Sequence, residues 1–257
     1  MSELRVEREG SLTIVTLARA TKLNALTFAM LDGLTAAADA IEADNGCRAV
    51  ILTGDGSKAF CAGADIAEWG ALGPLEFGRR WIVPGHRVFD RWARLRQPVI
   101  ALLNGIAFGG GLELAATADY RLAETHARVG LPETQVGIVP GWSGTQRLVR
   151  RAGAPAVKRL ALTGEPVDAA EALRLGLVDE VVASGEGMGR ARALAAIMAQ
   201  RAPVALQTAK LLINAAEGEE ASIAIETLAG ALAAGTADAR EGVAAFKEKR
   251  KAEFEGR

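Results

Sequence analysis

Residues 98–118 read PVIALLNGIAFGGGLELAATA. Their length and apolarity approach those of a membrane span, which needs about 20 consecutive apolar residues. Asn104, Glu113 and the glycines at 105 and 109–111 break that reading. The segment divides instead into a buried strand at Val99–Leu103, a turn at Asn104-Gly105 and a small-residue helix over Gly110–Ala118, followed by a strand at Tyr120–Ala123. The same signature occurs upstream. Ala49–Thr53 is a short continuous apolar run, the pattern of a strand buried on both faces, and it closes at the turn Gly54-Asp55-Gly56. A helical segment, Phe77–Leu95, separates the two runs. Strand, helix, strand, helix predicts crossover units and a mainly parallel sheet, hence an α/β fold.

Outward from this centre, Val6 leads into the alternating run Leu12–Leu17, and Gly10-Ser11 between them predicts an N-terminal hairpin. Thr27 is placed to cap a helix running to Glu42, with Leu31, Leu34, Ala38 and Ile41 on one stripe. Further helices are expected around Thr145–Arg151, Ala154–Leu162, Asp168–Leu175 and Gly189–Arg201, with a short strand at Leu177–Val182. Beyond Pro203 the pattern is almost purely helical. Val204, Thr208, Leu211 and Ala215 share a stripe, whereas Ile223, Ile225, Leu228 and Leu232 spread over more than one face and need a second surface to cover them. The expected division is a catalytic core at residues 1–200 and a helical oligomerisation region at 201–257. No internal repeat or low-complexity linker is legible.

Composition excludes several functions. Thirty basic side chains stand against thirty-one acidic ones, so no overall field draws the chain to a polyanion. Aromatics are only 5% of the residues, which argues against base stacking on nucleic acid. Cys47 and Cys61 form no disulfide framework, and with only His86 and His126 the chain cannot assemble a standard Cys/His zinc site. MSELRVEREG is charged from its third residue and has no apolar core of a signal peptide, so a cytoplasmic protein is expected, without membrane or nucleic-acid partners.

Two glycine-containing segments stand at the ends of expected strands: Lys58–Ile66, and Asn104–Glu113. Ligands of open parallel sheets bind beyond the carboxyl ends of the strands, where backbone N–H groups from two loops can hold one oxygen. The second segment does not match G-x-G-x-x-G, so a dinucleotide cofactor gains little support. Glu113 lies among Phe108, Leu112, Leu114, Ala115 and Ala116, where a carboxylate is costly to bury unless paired or used. Glu133 sits in the similarly apolar Val129-Gly130-Leu131-Pro132. Singly, each is most simply a solvent-facing or ion-paired residue. As a pair, they can act as general base and general acid near neutral pH if burial raises at least one pKa.

Six segments, in order, resemble the crotonase, or enoyl-coenzyme A hydratase/isomerase, superfamily: Thr21–Leu26, Phe60–Ile66, Asn104–Glu113, Leu131-Pro132-Glu133, Pro140–Leu148 and Leu162-Thr163-Gly164. The likeness runs essentially end to end. It implies a crotonase-like spiral of βαβ units with a C-terminal helical trimerisation region, assembled as a homotrimer or as a hexamer of two trimers. It also implies acyl-coenzyme A thioester substrates, with coenzyme A part of the substrate and no separate cofactor. On matching positions the backbone N–H groups of Ala64 and Gly110 hold the thioester carbonyl, Glu113 activates water for attack at C3, and Glu133 protonates C2. Gly141 matches a backbone donor near that water. Lys58 and the loop carrying Ala62, Asp65 and Ile66 match positions lining coenzyme A, and Lys249 matches a C-terminal basic residue that reaches a neighbour's ligand. Trp142 is bulky for its loop and is either core filling or a wall against the acyl chain. Ala67, Gly230 and Leu131 depart from residues found in some members.

Keeping both glutamates resembles the enoyl hydratases, whereas isomerases of the family typically rely on the second alone. Isomerisation, or another crotonase-family reaction on a specialised acyl thioester, is the alternative outcome. An RNA-binding homologue would use the Arg79, Arg80, Arg87, Arg91, Arg94 and Arg96 helix, but these arginines alternate with Trp81, Val83, Val88, Phe89, Trp92 and Leu95 as one face of an amphipathic helix. A serine hydrolase lacks a glycine-flanked serine beside either histidine.

Overall fold

In the computed structural model the strands of the expected sheet form as the apolar runs require. The structure describes residues 3–219 and 221–257, with the backbone alone at 222–224, so the expected packing of Ile223 lies outside the described residues. The strands are β1 (Leu4–Glu9), β2 (Leu12–Leu17), β3 (Ala49–Gly54), β4 (Ala59–Cys61), β5 (Val99–Leu103), β6 (Ile106–Phe108), β7 (Tyr120–Glu124), β8 (Arg128–Gly130), β9 (Val167–Asp168) and β10 (Glu180–Val182). The helices of the first 200 residues are α1 (Phe28–Ala43), α2 (Ile66–Trp69), α3 (Pro74–Glu76), α4 (Val83–Ala93), α5 (Gly110–Ala115), α6 (Gly144–Thr163), α7 (Ala169–Arg174) and α8 (Gly187–Ala199).

Six strands form one sheet in the order β1-β2-β3-β5-β7-β10, parallel except for the β1–β2 hairpin, whose turn falls at Gly10-Ser11 as expected. β3 is buried along its whole length because alternate side chains serve two cores. Val50 and Leu52 join the main core with α1 and α4, while Ala49 and Ile51 join a second core with Ala191 and Ala195 of α8.

A second sheet, β4-β6-β8-β9, was not expected from the sequence. β3, β5 and β7 each turn a corner into β4, β6 and β8, so the repeating unit is strand, strand, helix, with one strand given to each sheet. Asn104 ties these corners together: its Nδ2 donates to the carbonyls of Gly54 (2.7 Å) and Gly56 (2.6 Å), and its Oδ1 accepts from Gly54 N (3.2 Å). His126, at the next corner, places Nε2 against the carbonyls of Ser57 (2.8 Å) and Asn104 (3.2 Å). A Cβ at Gly105 would overlap the Lys58 carbonyl, so successive corners stack backbone on backbone.

Other differences have local causes. The Phe77–Leu95 helix opens as a π-turn over Phe77–Ile82 and becomes regular only at α4. Val83 N donates to Gly78 O, five residues back, just ahead of Pro84, which has no N–H to give and crowds the preceding turn. α6 breaks at Gly153 (φ 80°, ψ 155°), where two helices were expected. The strand at Leu177–Val182 shortens to β10 because Leu177 N (2.9 Å) and Val178 N (3.4 Å) turn back to Ala172 O and close α7. Thr27 caps α1 as expected, its hydroxyl accepting from Met30 N at 3.1 Å.

The chain separates into two compact units, residues 1–207 and 208–257. The remaining helices are α9 (Pro203–Ala216), α10 (Ala221–Ala234) and α11 (Ala237–Glu248). Within the second unit Thr236 caps α11, and the terminal residues return to it through Arg250–Glu241 and Gly256 N to Asp238 (2.8 Å). Phe246 and Leu232 of this unit are 86% and 77% exposed, the uncovered apolar surface that the sequence leads one to expect. Among the described residues no helix is long and apolar enough to cross a membrane.

Candidate active site

The carboxyl ends of β4, β6 and β8 converge on a cavity of about 260 Å3. After β4 the loop through Ala62, Gly63 and Ala64 is pinned to Leu26 by two backbone bonds, Leu26 N to Gly63 O (2.8 Å) and Asp65 N to Leu26 O (2.9 Å). After β6 the chain bends at Gly109 (φ 52°, ψ −125°), a conformation that a side chain disfavours, and enters α5 at Gly110. The Ala64 nitrogen lies 3.8 Å from where a Cβ of Gly110 would stand, so the two loops run close together at this point. Neither residue's N–H has an acceptor among the described residues.

Glu113, one turn into α5, is buried, and its Oε1 accepts from the backbone N–H of Trp142 and of Gly144, both at 3.0 Å. Burial pushes its carboxyl above the ordinary value, against the pull of these N–H groups and that of Gly141. Glu133 follows β8 and opens a 3-10 turn. Its carboxylate lies against Gly109, and neither oxygen has a hydrogen-bond partner among the described residues. Burial, reinforced by the nearby Glu113 charge, pushes Glu133 up to about 7. The cavity thus holds two carboxyls that burial pushes upward, Glu113 cradled by N–H groups and Glu133 without a hydrogen-bond partner among the described residues.

Of the residues anticipated from the sequence, Ala62, Ala64, Ile66, Gly110, Glu113, Glu133, Gly141 and Trp142 line this cavity together. Lys58 and Asp65 are not among its lining residues. Lys58 is exposed on the preceding corner. Asp65 caps α2 through Ala67 N (3.0 Å) and pairs with Arg19 at 2.6 Å, which holds its carboxyl below the ordinary value. Lys249 belongs to the second unit, where it ends α11. Trp142 is core filling that also lines the cavity. Its indole is buried against Trp81 and Phe89 (ring centroids 5.1 Å each), donates to Trp81 O (3.3 Å), and also walls the cavity.

The scarcity of bulky side chains in the sequence suggests that Trp142 and the Trp69–Trp92 region shape the pocket; Trp69, Phe77, Trp81 and Ile82 of that region do line the cavity, Val136 was not foreseen, and Trp92 lies outside it. Trp92 is core, its indole N–H donating to Leu34 O at 3.0 Å. The overlooked signal was Gly85. Glycine inside a helix costs stability unless something approaches closely, and here a Cβ would overlap the Trp142 indole.

A larger cavity, about 700 Å3, lies at the carboxyl ends of the six-stranded sheet. Its charges are already matched, Arg5 with Glu7 and Asp55, and Arg192 with Glu9, so volume alone does not mark the reactive site. Ser184, which precedes Gly185, comes within 2.7 Å of His126 Nδ1 here, a neighbour that the sequence did not reveal. The other ring nitrogen is committed to the corner carbonyls, and Thr125 Oγ1 shares the Ser184 hydroxyl at 3.1 Å. Four of the arginines in and around α4 are likewise engaged: Arg80 with Glu76, Arg91 with Asp39 and Glu42, Arg94 with Asp90, and Arg96 with Glu42 O and Asn45.

Residues 7–257 match the family model described as enoyl-CoA hydratase/isomerase. The chain belongs to the enoyl-CoA hydratase/isomerase family. It is 41% identical over 255 residues to a short-chain-enoyl-CoA hydratase of Clostridium acetobutylicum, covering 98% of this chain and 97% of the relative. It is 38% identical to a crotonyl-CoA hydratase of Syntrophomonas wolfei, covering 97% and 96%. The crystal structure of an enoyl-CoA hydratase from Bacillus anthracis superposes with a TM-score of 0.82 at 35% identity, covering 99% of this chain and 100% of that one. The family match spans nearly the whole chain, the fold is the crotonase fold, and the chain is an enzyme.

Proposed function

We propose that the protein is an enoyl-CoA hydratase that adds water across the 2,3 double bond of a 2-enoyl thioester to give the 3-hydroxyacyl thioester. The observation that carries this reading is the inequality of the two carboxyls in one cavity. Burial raises both, but Glu113 receives two N–H bonds that favour its ionised form, whereas Glu133 has no hydrogen-bond partner among the described residues and is pushed up to about 7. General acid–base catalysis needs such a split, a base able to accept a proton and an acid still carrying one.

In this reading the thioester carbonyl accepts from Ala64 N and Gly110 N, which stabilise the negative charge that develops on its oxygen. Glu113 takes a proton as water oxygen bonds to C3, and the electron pair of the double bond moves to C2 to form the enolate. Glu133 delivers its proton to C2. The product gains one hydroxyl and one hydrogen, and Glu113 passes its proton back to Glu133 to restore the starting state. Trp69, Phe77, Trp81, Ile82 and Trp142 provide an apolar wall for the acyl chain. The loop through Ala62 and Ile66, with Lys58, receives the coenzyme A portion, while Asp65 serves that loop through its cap and the Arg19 pair. Lys249 acts on the nucleotide of a neighbouring subunit in a trimer or hexamer built through the exposed apolar helices.

Steady-state hydration of a panel of 2-enoyl-coenzyme A thioesters tests the reading. Wild-type turnover that falls in both Glu113→Gln and Glu133→Gln supports it. Retained hydration in Glu113→Gln, with a double-bond shift abolished by Glu133→Gln, would make the enzyme an isomerase.

A further inference from the structure

The two N–H groups that hold Glu113 come from residues on either side of Ser143, which has φ 64° and ψ 7°. A left-handed residue between two N–H donors turns both toward one point and makes a concave anion seat. Serine disfavours this conformation, so something outside the loop must hold it. The supporting groups are on α4 and α6. Asp90 Oδ1 faces the Ser143 hydroxyl at 3.1 Å and accepts from Arg147 Nη2 at 2.8 Å, while Arg147 Nη1 donates to the same hydroxyl. The Ser143 hydroxyl also lies 2.6 Å from Trp142 O, so its single proton serves either Asp90 or its own loop. Asp90 Oδ2 faces His86 (3.4 Å) and Arg94 (3.5 Å). Burial opposes the Asp90 charge, but Arg147 and Arg94 more than offset it and keep the carboxyl below its ordinary value.

We propose that Asp90 and Arg147 are a positioning pair that clamps Ser143 in its left-handed conformation and thereby keeps the Trp142 and Gly144 N–H groups on Glu113. The inference rests on the hydratase reading for what Glu113 does, but not for how it is held. Neither side chain lines the cavity. The ionisable groups that act on Glu113 from neighbouring elements are Glu133, in the turn after β8, and His86 of α4.

The experiment follows the Glu113 carboxyl by carbon-13 NMR across pH in labelled protein, assigned with Glu113→Gln, and measures kcat and KM for hydration in parallel. In Asp90→Ala the N–H groups drift from Glu113, so its titration midpoint moves to higher pH. kcat then falls by up to about 10²-fold, the effect of a small misplacement at a reacting group, and KM stays near the wild-type value. Adding Ser143→Gly to that variant supplies a residue that adopts the bend freely, and both midpoint and kcat return toward wild type. An unmoved midpoint in Asp90→Ala, or a loss that Ser143→Gly does not reverse, overturns the proposal. If Asp90→Ala does not fold, Ser143→Ala takes its place: it keeps the ion pair and removes the bridging hydroxyl, so a raised midpoint supports the clamp and an unchanged one refutes it. Midpoints that shift as expected in a protein that hydrates no enoyl thioester would remove the hydratase reading and leave the clamp standing.

Discussion

Glu133 sits in a burial site that favours its proton, and that has consequences for both rate and stability. As pH rises from the ordinary glutamate value to about 7, the unfolded chain releases this proton while the folded chain keeps it. The stability associated with the protonated group is therefore present at low pH and lost as pH rises through that window, by about 3 kcal/mol for a shift of this size. Glu133→Gln cannot ionise, so its melting temperature should exceed that of wild type at pH 8 and match it near pH 4, as scanning calorimetry would show. On the proposed mechanism the same proton governs rate: hydration should decline above about pH 7 as Glu133 ionises and decline in acid as Glu113 protonates. Gly144 is a second sensitive residue, because a Cβ there would overlap the Glu113 side chain. Gly144→Ala should lower kcat by about 10²-fold, since it displaces Glu113, the proposed base. Both glutamates were legible in the sequence because a carboxylate in apolar sequence is anomalous. Their unequal environments were not, since the Trp142 and Gly144 N–H groups arrive from a loop some thirty residues distant in the chain.

At the scale of elements, α4 and the loop before α6 meet through Gly85 and Trp142. Trp142→Ala should cost about 3–5 kcal/mol, the range for an emptied aromatic site, and should extend the acyl chains the enzyme accepts. Urea unfolding and a chain-length profile measure the two effects separately, and a stability loss with an unchanged profile would make Trp142 core alone. Gly85→Ala should destabilise by about 1–3 kcal/mol through overpacking against the indole. β3, β5 and β7 were readable because a strand buried on both faces is a continuous apolar run, and Val99–Leu103 matches to the residue. β4, β6 and β8 were not, since Ala-Phe-Cys, Ile-Ala-Phe and Arg-Val-Gly are too short to show a period. The recurrence of strand, strand and helix is not legible in the sequence for a related reason. What repeats is the backbone corner, held by Asn104 and His126, rather than any recurring side-chain pattern.

For the whole molecule, the exposed apolar side chains of the second unit predict association. Ile225, Leu232, Val243 and Phe246 are all more than half exposed, and such a surface on a monomer favours self-assembly. Sedimentation velocity at micromolar concentration should show a trimer or hexamer, and a stable monomer would contradict this. The sequence made that surface visible through helices with apolar residues on several faces, but which copies cover it is a property of the assembly rather than of one chain. The proposed division of labour between the two glutamates ties residue, sheet and cavity together, because it needs β6, β8 and the loop before α6 in register at once. Its most direct test is the rate of water addition to a short 2-enoyl-coenzyme A thioester by wild type, Glu113→Gln and Glu133→Gln. Wild-type turnover with a loss of about 10²–10⁴-fold in each variant, and with the double variant little worse than either, is the predicted result. A variant of either glutamate that hydrates at the wild-type rate would contradict the account.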